Sequence, residues 1–222
     1  MIKAILFDYD GTLSDRKRSA YKMYRDMMHQ ICPEISEDSV EMEALVQRCM
    51  LYDQNGIAKK NTVMEAMKPY IGDIDVQKWA KYWADNFDRF QTERNGVKEV
   101  LKRLHQKYRT GILSNGTYES QLAKIQSLQV DQLVDEVIVS GQYGIHKPDR
   151  RIFEIAAERL GASCEETVFV GDTFFTDIYG ALNAGMKAVW IPEETGTVSD
   201  YTGCRISTLF ELCDVLEKGG LQ

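Results

Sequence analysis

Outside one central stretch, the sequence alternates short runs rich in β-branched and aromatic residues with longer segments of helical period. No other feature constrains the fold so tightly. The runs are Lys3 to Phe7, Thr110 to Leu113, Val137 to Ser140, Val168 to Val170 and Ala188 to Ile191. Each is short and almost continuously apolar, which reads as a strand buried on both faces. Between them the helical pattern runs through Val97, Val100, Leu101 and Leu104, through Leu122 to Leu128, through Ile152, Phe153, Ile155, Ala156 and Leu160, and through Ile178 to Ala184. Such alternation predicts an α/β fold of right-handed βαβ units, a Rossmann-like parallel sheet flanked by helices. Ligands of such sheets bind beyond the carboxyl ends of the strands, where the strand order reverses.

The central stretch, residues 16–92, has a different texture. Tyr24, Met27, Met28 and Ile31 recur at helical spacing, as do Met42, Leu45, Val46 and Cys49, then Val63, Ala66, Met67 and Tyr70. Val76, Trp79, Ala80, Trp83, Phe87 and Phe90 form a fourth stripe. These spacings predict four amphipathic helices whose Met and aromatic stripes are their shared core. Asp38 followed by Glu41 is a capping-box-like start for the second helix. The chain is therefore expected to form one domain from residues 1–15 and 93–222, with a helical domain of residues 16–92 inserted in it.

Acidic residues outnumber basic ones by 34 to 27. A net negative chain offers no field to gather nucleic acid or an anionic membrane, so no partner of either kind is expected. No apolar run approaches the roughly 18 residues of a membrane span, and the N-terminal run is too short for a signal peptide. The expectation is a cytoplasmic protein, monomeric or homodimeric. Five cysteines without Cys-x-x-Cys spacing read as buried or incidental thiols.

The chemistry lies in the residues that follow the strands. The first strand runs into Asp8-Tyr-Asp-Gly-Thr12, and Gly11 lets the chain turn so that Asp8 and Asp10 face one crevice. One carboxylate can then attack while the other moves a proton; the alternative is an ordinary turn with two solvated acids. The second strand ends in Ser114-Asn-Gly116, a hydroxyl and backbone N-H groups suited to phosphate oxygens, or a plain strand-to-helix turn. Lys147 precedes Pro148, which favours an extended conformation at the lysine and directs a cation that can neutralise phosphate charge; the alternative is a solvated surface lysine. The fourth strand ends in Gly171-Asp172, with Asp177 five residues on; these are hard oxygen donors suited to magnesium, although Asp177 can equally cap the next helix.

In this order the four segments resemble the haloacid dehalogenase superfamily, and the resemblance covers essentially the whole chain. Asp8, Asp10, Thr12, Ser114, Lys147, Asp172 and Asp177 fall on its motif positions. The helical insert resembles the cap of the phosphoglycolate phosphatase-like branch. The resemblance implies a magnesium-dependent phosphatase acting on a small phosphorylated metabolite, with phosphoglycolate and a nucleoside monophosphate as leading substrates. It implies Asp8 as nucleophile, Asp10 as acid and base, and Lys147 as charge partner. Thr12, Ser114, Asn115, Gly116 and Lys147 would line the phosphate site, and Asp8, Asp10 (through its carbonyl), Asp172 and Asp177 the metal site. Arg150 and Thr176 depart from the family pattern, which leaves Asp177 open between ligand and partner of Lys147. A mutase shares every core residue. A true dehalogenase or a phosphonate-cleaving relative lacks the second acid, and Lys59 and Lys60, candidates for the latter's Schiff base, read as a solvated loop. A non-catalytic regulatory protein would be expected to have lost Asp8 or Asp10. Arg16, Lys17 and Arg18 read as a solvated hinge, with a substrate anion as the other reading, and domain movement is expected about residues 14–18 and 92–96.

Overall fold

The computed structural model describes residues 1–192 and 199–217. Strand β1 (Ala4–Phe7) is followed by helices α1 (Arg16–Ile31), α2 (Val40–Asp53), α3 (Lys60–Ile71) and α4 (Val76–Asn86). Helix α5 (Val97–His105), β2 (Arg109–Ser114), α6 (Tyr118–Ser127), β3 (Glu136–Val139) and α7 (Arg150–Arg159) come next. Then follow β4 (Thr167–Gly171), a turn of π-helix at Phe174–Tyr179, α8 (Gly180–Asn183), β5 (Lys187–Trp190) and α9 (Leu209–Glu217). The chain divides into two compact units, Met1–Asp15 with Glu93–Gln222, and Arg16–Thr92.

The first unit is built on one parallel sheet in the order β3-β2-β1-β4-β5. Side chains alternate across its faces, as strand geometry requires. Ile5, Phe7, Val168 and Val170 pack with Val100, Leu101 and Leu104 of α5 and Leu209 and Leu212 of α9. Ala4, Leu6 and Phe169 face Ile152, Phe153 and Ala156 of α7. Both faces are thus covered by helices, which leaves the strand ends for contact with solutes. β1 lies between β2 and β4, so the connections depart to opposite sides from its carboxyl end and leave a crevice there.

The second unit is all helical. Met23, Tyr24, Met27, Met42, Val46, Val63, Met67, Trp79 and Trp83 form its core. Two details correct the sequence reading. Helix α2 is capped by Ser39, whose hydroxyl accepts from the Met42 N-H at 3.1 Å, and not by Asp38. In α3, Met64 is buried where Tyr70 was expected; Tyr70 is half exposed and lies under Arg48. The basic residues also differ from expectation. Arg16 is buried and paired with Asp53 at 2.9 Å, and Lys60 pairs with the same carboxylate while lying over the Trp83 ring. Lys59 and Arg18 are exposed, as a solvated segment requires. All five cysteines are unpaired thiols. No helix among the described residues is long and apolar enough to cross a membrane.

Candidate active site

Four loops at the carboxyl ends of β1, β2, β3 and β4 converge on one cluster of charge. Asp8 follows β1 directly, and its N-H donates to Val170 O at 2.9 Å, which carries the β1-β4 pairing one step beyond the strand. The chain then turns at Gly11, whose φ of +89° favours glycine. A Cβ there would stand 2.5 Å from an Asp172 carboxylate oxygen, so the glycine also makes room for that acid. Thr12 is fully buried and its hydroxyl donates to Asp172 at 3.4 Å. The indole of Trp190 donates to the Asp172 carbonyl at 2.7 Å and fixes that residue's backbone.

Lys147 is the cation of the cluster. Its Nζ donates to Asp8 Oδ1 at 2.7 Å and to Asp177 Oδ1 at 2.8 Å, and only 4% of the residue is exposed. Asn115 sets its position: the Lys147 N-H donates to Asn115 Oδ1 at 2.9 Å, and Asn115 Nδ2 donates to the Lys147 carbonyl at 3.0 Å. The Asn115 amide is therefore engaged with the backbone of the lysine. Likewise the Gly116 N-H donates to Ser140 Oγ at 3.1 Å. Ser114, at the end of β2, is buried, and its hydroxyl accepts from Gln121 at 2.5 Å. Asp177 accepts from the Thr173 N-H at 3.0 Å through its second oxygen, so both of its oxygens are hydrogen-bonded.

The electrostatics follow from this crowding. Burial is the largest influence on Asp8 and pushes its carboxyl up to about 7; Lys147 opposes the rise, while Asp177 and Asp10 add to it. Burial also disfavours the Lys147 ammonium, but Asp177 and Asp8 outweigh that penalty and hold it above the ordinary lysine range. Lys147 touches Asp8 and Asp177 within a set of three acids, because Asp8, Asp172 and Asp177 each present an oxygen within 4.8 Å of the others. An all-oxygen set with excess negative charge fits a small hard dication such as magnesium.

Two residues in the crevice escaped the sequence reading. Gln121 and Lys124 lie on the buried face of α6, and both donate to the Asp10 carboxylate. Their spacing to Ile125, at i, i+3 and i+4, places all three on one helical face. That spacing was the available signal, but a lysine on a helix is ordinarily solvated.

A sequence profile described as haloacid dehalogenase-like hydrolase matches residues 5–191, the whole span from β1 to just past β5. The chain belongs to this family. It is 31% identical over 201 residues to the glyceraldehyde 3-phosphate phosphatase of Methanothermobacter thermautotrophicus, covering 87% of each chain. Human N-acylneuraminate-9-phosphatase is 30% identical over 237 residues, covering 97% of this chain and 94% of the relative. Among solved structures, the magnesium-bound hydrolase YfnB of Bacillus subtilis superposes with a TM-score of 0.78 at 22% identity, over 97% of this chain and 98% of that one. That likeness establishes the shared haloacid dehalogenase-like fold.

Proposed function

We propose that the chain hydrolyses a small phosphate monoester through an aspartyl-phosphate on Asp8. The observation that carries this reading is the bridge from Lys147 to Asp8 and Asp177, inside a ring of carboxylates at the strand ends. An Asp8 oxygen attacks phosphorus, the P-O bond to the alcohol breaks, and Asp10 gives its proton to the departing oxygen. Water then attacks the phosphorus of the mixed anhydride, Asp10 takes back a proton, and inorganic phosphate leaves with Asp8 restored. Lys147 and the Ser114 hydroxyl balance the non-transferred oxygens, while Thr12, Asn115 and Gly116 hold Asp172, Lys147 and the β2 turn in place. Asp8, Asp172 and the Asp10 carbonyl would hold a magnesium ion, which would supply charge to draw in the phosphate dianion and stabilise the transition state. Asp177 serves first as the partner of Lys147, since both of its oxygens accept hydrogen bonds.

The substrate class is a primary phosphate ester of a small polar metabolite. The phosphatase relatives support this, and phosphoglycolate and nucleoside monophosphates belong in the same panel as glyceraldehyde 3-phosphate and N-acylneuraminate 9-phosphate. Residues 16–92 would act as the selecting cap, moving about residues 14–18 and 92–96. The test is turnover of that panel with and without magnesium. The reading requires metal-dependent release of phosphate, a phosphate on acid-quenched protein that hydroxylamine removes, and loss of turnover by about 10⁴-fold or more in Asp8→Asn. Full activity in Asp8→Asn would refute it.

A further inference from the structure

Beside the first charged pair lies a second, Lys124 with Asp10, whose lysine takes no part in the proton transfer described above. Lys124 is 7% exposed and Gln121 is 3% exposed, although both are polar and both lie on a helix with an exposed face available. Burying a lysine is costly unless it is paired, and its partner here is Asp10 Oδ2. Gln121 Nε2 donates to the same oxygen at 3.0 Å, and also approaches Ser114 Oγ at 2.5 Å and the Asn115 carbonyl at 2.7 Å. Its two amide protons are therefore shared among three acceptors, which ties the β1 turn to the end of β2.

The lysine is itself held. The Tyr9 hydroxyl donates to the Lys124 carbonyl at 2.7 Å, and Nζ lies 5.6 Å from the centre of the Tyr9 ring. Tyr9 is fully buried between the two acids of the first motif, so α6 is pinned to the turn that carries them. Gly116 contributes by its lack of a side chain: a Cβ there would meet the Gln121 side chain at 2.8 Å.

We propose that Gln121 and Lys124 are positioning residues for Asp10, and that by both donating to Oδ2 they turn the carboxylate so that proton transfer runs through Oδ1. An oxygen that already accepts two donors is a poor site for a proton, and a carboxylate gripped at one oxygen keeps the other at a fixed angle. This rests on the phosphatase reading, in which Asp10 gives a proton to the leaving alcohol and takes one from water. Neither residue touches phosphate in this scheme.

The proposal separates esters by leaving group. An alkyl ester needs the proton as its P-O bond breaks, whereas 4-nitrophenolate departs without one. With magnesium in excess, Lys124→Met should lower kcat/KM, which reports the ester-cleaving half-reaction alone, by about 100-fold on glycerol 1-phosphate, the low end of what general acid catalysis contributes, and far less on 4-nitrophenyl phosphate. Lys124→Arg should recover much of the loss, and calorimetric affinity for inorganic phosphate should match that of the unaltered protein. If Lys124→Met does not fold, as judged by circular dichroism, Gln121→Met carries the leaving-group comparison, without the phosphate arm because Gln121 also holds Ser114. Equal losses of kcat/KM on both esters, no loss on either, or a parallel loss of phosphate binding in Lys124→Met would overturn the positioning role alone. Turnover of neither ester by the unaltered protein would overturn the phosphatase reading, and this role with it.

Discussion

Substituting Asp53 should unfold the helical unit well before the rest of the chain. Asp53 is 1% exposed at the end of α2 and balances two cations: Arg16 at 2.9 Å and Lys60 on its other oxygen. The Tyr24 hydroxyl donates to it at 2.7 Å. Asp53→Asn keeps the shape but removes the charge, leaving a guanidinium and an ammonium close together in a nearly dry site. Removing one partner of a buried ion pair costs about 3–5 kcal/mol, because the remaining charge is desolvated and uncompensated. In a domain of about 60–100 residues each kcal/mol moves Tm by about 4–8 °C, so the melt should fall by at least about 12 °C. Trp79 and Trp83, two of the three tryptophans, lie in this unit, so intrinsic fluorescence in a urea titration reports its unfolding. A loss under about 1 kcal/mol would show that the pocket hydrates when Asp53 is neutral, and would refute the reasoning.

The same group fixes a pH dependence. Burial, the largest influence, pushes the Asp53 carboxyl up, but the charges of Arg16 and Lys60, with hydrogen bonds from Lys60 and the Tyr24 hydroxyl, hold it below the usual range. Its folded pKa is thus depressed relative to about 3.9 in the unfolded chain. The stabilisation is fully present above that unfolded value and is lost as pH falls through the lower folded one. Acid titration should release the tryptophan signal only below about pH 4, and Asp53→Asn should abolish this part of the acid dependence. Arg16 Nη1 is also buried and finds no acceptor among the described residues. Replacing the cluster by Asp53→Leu, Arg16→Met and Lys60→Met should therefore recover most of the stability that Asp53→Asn loses.

Other outcomes follow from the catalytic cluster. Gly11→Ala adds a Cβ at 2.5 Å from Asp172 on a backbone with φ of +89°, so it should weaken magnesium binding in calorimetry while leaving the sheet intact by circular dichroism. Lys147→Met leaves Asp8 and Asp177 facing each other without a cation and should lower kcat by about 10²–10³-fold, the scale for loss of one charge-stabilising donor. Removing divalent metal with EDTA should abolish turnover, and adding magnesium at about 100 times its Kd should raise stability by about 2.7 kcal/mol in thermal melts. A melt unaffected by magnesium would argue that Lys147 alone balances the carboxylates.

What could be read from the sequence, and what could not, divides along a physical line. Strands such as Val168 to Val170 and Thr110 to Leu113 were visible because a strand sealed on both faces must be apolar throughout, and the structure extends each by only one or two residues. The residues after those strands were visible because an acid or hydroxyl at the mouth of a buried strand has few structural reasons to be there. Arg16, Lys60, Gln121 and Lys124 were not visible. Each sits on a helix or at its first turn, where a polar residue costs nothing if it faces water, and the sequence does not say which way it faces. The cost of burying Arg16 and Lys124 is met by carboxylates distant in sequence: Asp53 lies 37 positions from Arg16, and Asp10 lies 114 from Lys124. A period of 3.6 residues identifies the face they share with Ile125 or Tyr24, but only the tertiary pairing shows that the face points inward. The same reasoning makes these residues informative once seen. A lysine that could have been solvated and is instead held against a strand-end acid contributes little to the hydrophobic core, so its placement is better explained by the carboxylate it orients.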